Sequence, residues 1–71
     1  MKRITDMELK ALPFGSKIKI VWHNSKHHKI DETYNGVIFG DSIGYEDGLI
    51  DKTQNIAECL YNDCCIVYLC E

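Results

Sequence analysis

The chain closes on two apolar runs, residues 56–61 and 64–70, with only Asn62 and Asp63 between them. Asn and Asp tolerate the left-handed conformation of a tight primed turn, so the arrangement predicts an antiparallel hairpin. The second arm is apolar on both faces, the pattern of a strand in the middle of a sheet and covered from both sides. A helix over residues 54–61 is the competing assignment for the first arm. Upstream, Lys17–Trp22 alternates. Ile18, Ile20 and Trp22 point one way and Lys17, Lys19 and Val21 the other, which is the period of a half-buried strand with Trp22 in the core. Asn35 with Gly36, Gly40 with Asp41, and Asp47 with Gly48 punctuate the middle of the chain. They predict strands over 34–39 and 42–45, the first bent at its glycine. The aperiodic polar stretch 23–33 reads as a long exposed loop, and a second polar loop runs through Asp51 and Lys52.

The beginning reads as a short helix. Thr5 is placed to cap it, Glu8 three residues on completes a capping box, and Ile4 and Leu9 occupy the staple positions. Pro13 ends it, since the ring pushes Leu12 out of the helical region. Seventy-one residues make a single domain, 1–71, with a small core. Five short strands interrupted by glycines are expected to curl into a small barrel, because closure removes the exposed edges of so small a sheet. The fold class expected is therefore mainly β, a five-stranded barrel with a short N-terminal helix.

Eight basic residues against eleven acidic ones leave a formal net charge of −3, which argues against a broad phosphate-neutralising surface. Met1, Lys2 and Arg3 lead into the polar segment 5–10 rather than the apolar run of a secretory signal. No segment approaches the roughly 20 apolar residues of a membrane span. A cytoplasmic protein with no membrane contact, its cysteines kept as thiols, is the expectation.

Four cysteines and three histidines raise the question of a metal. Cys59, Cys64, Cys65 and Cys70 do not form the paired knuckles of structural zinc, and adjacent Cys64 and Cys65 face opposite sides of a strand. They read as small core hydrophobes. A mixed site with His23, His27 or His28 is the alternative, and it would make the chain a metal-stapled structural subunit. A cysteine paired with a histidine would make a nucleophile, but no orienting third group or oxyanion hole can be named. No catalytic residue, metal or cofactor is assigned, and the chain is expected not to be an enzyme.

Two clusters remain as partner-binding candidates. Lys26, His27 and His28, with Lys29, form the basic one. Asp41, Tyr45, Glu46, Asp47 and Asp51, interleaved with Leu49 and Ile50, form the acidic one; an aromatic anchor among polar groups is the anatomy of a protein interface. The acidic loop lacks the residue order of a calcium loop.

The segments 12–20, Leu-Pro-Phe-Gly-Ser-Lys-Ile-Lys-Ile, and 34–41, Tyr-Asn-Gly-Val-Ile-Phe-Gly-Asp, carry a resemblance to SH3-like small barrels. In size, style and charge the chain is also similar to small proteins of bacteriophages and mobile elements, anti-CRISPR inhibitors among them. These resemblances imply a non-enzymatic module that binds a host or cognate protein and inhibits by occlusion, its acidic loop meeting a basic site. The alternative from another class is a nucleic-acid or nucleotide binder using Lys17, Lys19, Lys26 and Lys29, with Tyr34 or Tyr45 as the stacking ring. Edge pairing of the final strand with a second copy would make a homodimer.

Overall fold

A computed structural model describes residues 1–70 as one antiparallel sheet carrying two helices. In chain order the elements are β1 (Lys2–Ile4), α1 (Asp6–Lys10), β2 (Lys17–Trp22), β3 (Thr33–Phe39), β4 (Ser42–Tyr45), β5 (Ile50–Lys52), α2 (Thr53–Tyr61) and β6 (Cys65–Cys70). The sheet order is β1-β6-β2-β3-β4-β5. It has six strands rather than the expected five, and its pairings run from edge to edge without joining β1 to β5. Two of the six lie outside the expected set: β5 falls where the residue pattern predicts a polar loop through Asp51 and Lys52, and β1 is too short to show a period. It pairs Lys2, Arg3 and Ile4 with Leu69, Tyr68 and Val67, which delivers Ile4 to the core.

Residues 53–61 form a helix, so the terminal hairpin expected from the sequence does not exist. Ile56, Ala57 and Leu60 recur at helical spacing and face the core, while Gln54, Asn55 and Glu58 are exposed. Asp63, at φ 61°, turns the chain left-handed out of the helix, and the Cys64 N–H bonds back to the Cys59 carbonyl at 2.8 Å. Asn62 and Asp63 therefore join a helix to a strand. The expectation for β6 holds in part. It is internal, paired with β2 along its length and with β1 over Val67, Tyr68 and Leu69, so the middle of the strand is covered on both edges. Only one of its faces is covered: Cys65 and Val67 are buried, whereas Ile66, Tyr68 and Cys70 are half-buried on the other side.

The alternation of β2 survives intact, with Ile18, Ile20 and Trp22 buried. Register extends that covered face across Tyr34, Gly36 and Ile38 of β3 and Ile43 and Tyr45 of β4. The helices close over it with Leu9, Ile56 and Ala57. Helix α1 begins as read: Thr5 accepts from the Glu8 N–H at 3.2 Å while the Glu8 carboxylate accepts from the Thr5 N–H at 3.0 Å.

Gly36 is needed for packing rather than for a bend. A Cβ there would stand 2.6 Å from Ile43 Cγ2 in the interior. Gly44, on the opposite face, lies under the half-exposed Phe39 ring, which a Cβ would approach at 2.5 Å. Gly36→Ala is expected to cost about 1–3 kcal/mol, the range for overpacking a core. Gly44→Ala should cost distinctly less, since Phe39 has solvent to move into. Urea denaturation of the two variants checks the order.

Candidate functional site

The polar loop between β2 and β3 is pinned to the body of the fold. Trp22 N–H donates to the Glu32 carbonyl at 2.9 Å and Asp31 N–H to the Trp22 carbonyl at 2.7 Å, which closes the base. Asp31 makes this turn at φ 66°. His23 and Asn24 N–H groups both reach the Cys64 carbonyl, and His23 Nε2 lies 2.7 Å from the Asp63 carbonyl oxygen. The loop thus bridges the end of β2 to the start of β6.

Pinning the loop folds His28 inward. Its ring stacks on Trp22 with centroids 4.0 Å apart and an interplanar angle of 13°. Its edge meets Tyr34 at 5.3 Å, and Tyr34 lies 5.5 Å from Tyr45. Four rings thus run from the buried Trp22 to the rim of β4. Two carboxylates hold them. Glu32 Oε1 accepts from His28 Nδ1–H at 3.0 Å and from the Tyr34 hydroxyl at 2.8 Å. Asp51 Oδ2 accepts from the Tyr45 hydroxyl at 2.9 Å.

The charges follow from these bonds. The hydrogen bonds from His28 and then Tyr34 hold the Glu32 carboxyl below its ordinary value. The Tyr34 hydroxyl is raised, chiefly because it donates to Glu32. The Tyr45 hydroxyl is pushed far up by burial and then by its bond to Asp51. Both phenols are therefore neutral donors at physiological pH, and Glu32 is an anion. A shallow depression of about 150 Å³ beside them is lined by Thr33, Tyr34, Asn35, Tyr45, Glu46 and Asp47.

Of the acidic candidates, Tyr45, Glu46, Asp47 and Asp51 come together here, with Asp51 engaged beneath the Tyr45 ring. Asp41 stands at the other end of β4, where its carbonyl accepts from the Thr53 N–H at the start of α2. Of the basic candidates, Lys26 and His27 are exposed at the loop tip. His28 is half-buried and belongs to the acidic aromatic cluster. Glu32 was not singled out by its pattern; its i,i+4 relation to His28 and i,i+2 relation to Tyr34 were the available signals.

The opposite face of the sheet has no helix over it. Register places Arg3, Tyr68, Lys19 and Asn35 in one row across β1, β6, β2 and β3. Cys70, Lys17, Val37, Gly44 and Ile50 form the next row. Lys17 and Lys19 are thus separated from Lys26 and Lys29, and Tyr34 and Tyr45 lie on the other face. The residue set expected for a nucleic-acid site is not brought together.

All four cysteines are free thiols. Burial pushes the Cys65 thiol up to about 12, and burial also raises that of Cys59. Among the described residues no group of three or more His, Cys, Asp or Glu side chains is placed to hold a metal ion. Among the described residues no helix is long and apolar enough to cross a membrane. Comparison with protein-family models, with characterised proteins and with solved structures finds no match to this chain.

Two outcomes are expected. Glu32 is lowered in the folded state, so its contribution to stability is present above the ordinary carboxyl value of 4.5 and is lost as pH falls through the lowered one. Glu32→Gln should flatten the acid limb of a stability-against-pH curve from urea unfolding, leaving the share due to Glu8, which is lowered by its bond from the Thr5 N–H. Cys65, protonated at neutral pH, should resist a thiol-titrating reagent until the chain unfolds, while the less buried cysteines react earlier. Mass mapping of the labelled cysteines reads this out.

Proposed function

We propose that the chain is a non-enzymatic protein-binding module whose acidic aromatic end receives a basic segment of a partner. The observation that carries this reading is the hydrogen-bonded cluster of Tyr34 and Tyr45 with Glu32 and Asp51, rimmed by exposed Glu46 and Asp47. Rings already held in place lose little freedom on binding, and the carboxylates around them supply the field that draws in a cation. Leu49, exposed beside them, extends the rim with apolar surface.

The connectivity supports the SH3-like resemblance. Leaving β1 aside, the order β6-β2-β3-β4-β5, with a helix leading into the last strand, is a meander whose final strand returns beside its first. A small barrel with its site at the end where the long loop closes fits that connectivity. Such a module works by occupying a surface. In the version the phage-like resemblance implies, it acts in the cytoplasm and blocks a host complex by covering a basic site on it.

Isotope-edited NMR with short synthetic peptides tests the reading. An Arg- and Lys-rich peptide should move the amides of Tyr34, Tyr45 and Asp47, and an acidic peptide of equal length should not. The double change Glu46→Lys with Asp47→Lys should weaken the basic peptide by roughly five- to tenfold, as expected for two exposed charges. Shifts confined to other parts of the molecule would overturn the assignment.

A further inference from the structure

We propose that the helix-free face of the sheet is a docking site for single-stranded nucleic acid. The site borders the acidic end, and the depressions of the two share Asn35, Tyr45 and Glu46. The chain is net negative, yet four of its eight cations, Arg3, Lys17, Lys19 and Lys52, fall in register on this face. The strand positions sharing it hold no carboxylate; Glu46 borders it just beyond β4. Among the described residues none of these four cations enters an ion pair, whereas Lys2 on the other face is paired with Glu8 at 3.4 Å.

The face also carries rings. In the row Arg3, Tyr68, Lys19, the Tyr68 ring stands between two cations on adjacent strands. Neighbouring strands lie roughly 4.8 Å apart, so the backbones carrying the two cations flank that of Tyr68 at about 10 Å from each other. Phe39 provides a second ring, 36% exposed, over Gly44. A depression of about 410 Å³ opens on this face beside Lys17, Asn35, Val37, Gly44, Glu46 and Cys70. Alternation of cation and aromatic is the chemistry of a strand whose phosphates alternate with flat bases, and it suits unpaired bases because a duplex keeps its bases stacked inside. An acidic peptide would match the charge and leave the rings without partners. An anionic membrane would match the charge and need more protruding apolar surface than Val37, Phe39 and Ile50 supply.

Fluorescence anisotropy with labelled oligo-dT and oligo-U of about 15 nucleotides tests the proposal, and protein titrated into either probe should raise the signal. Three phosphate contacts predict a roughly 20-fold loss of affinity between about 50 and about 200 mM salt. Tyr68→Ala should weaken binding by about fivefold or more. Arg3→Glu combined with Lys19→Glu should weaken it further, with circular dichroism confirming that each variant is folded. Glu58→Gln, exposed on α2, should leave oligonucleotide affinity within about twofold, because a surface charge outside the contact adds little. The proposal fails if neither probe binds at low salt, or if folded Tyr68→Ala binds like the parent. It also fails if polyglutamate or phosphatidylglycerol vesicles bind as tightly as the oligonucleotides, which would mark the face as generally anion-seeking.

Discussion

This chain has helix enough for one face of its sheet. Helix α1 has five residues and α2 nine, and both lie on the side where Ile18, Ile20, Trp22, Ile38, Ile43, Cys65 and Val67 are buried. Burial of that single layer is the main favourable term available to a domain of this size, and every strand is placed by it. Gly36 exists because two side chains from the neighbouring strand occupy the space above it. Strand β1 exists because Ile4 has to reach the layer. The reverse of the sheet stays in water, and its charges are free of structural duty.

What could be read from the residues was the part governed by short periods. The alternation of β2, the capping box of α1, the turn at Gly40 and the interior place of Trp22 are local signals, and each survives folding. The run 56–61 misled because its apolar count outweighed its spacing. Six residues hold less than two helical turns, too few to separate a period of 3.6 from one of 2. The two-sided apolar character of β6 misled in another way. Ile66, beside Val21, and Tyr68, between Arg3 and Lys19, face outward rather than into a second layer, and no property of that strand alone distinguishes the two situations.

The candidate site was legible only in fragments. Tyr45, Glu46, Asp47 and Asp51 sit close in the sequence and meet in space. His28 and Glu32 join them because the loop between β2 and β3 is anchored by backbone carbonyls of Trp22, Glu32 and Cys64. Main-chain anchoring leaves no mark on residue type, so a pinned loop and a free one look alike as text. The lysines divided similarly: the register of β2 against β6 and β3 decides which of them share a surface, and register depends on the far end of the chain.

That far end has a kinetic consequence. Lys2 and Leu69 are direct partners, so the seam at one edge of the sheet joins residues far apart in the sequence. The β2 seam with β6 is nearly as distant. Closing a segment of that length is entropically unfavourable before any contact rewards it, which puts such a protein among the slower folders for its size. Joining residues near Lys2 and Leu69 by a short linker and reopening the chain at the exposed Gly48 turn would shorten both searches at the expense of the turn that now makes the β4–β5 pairing local.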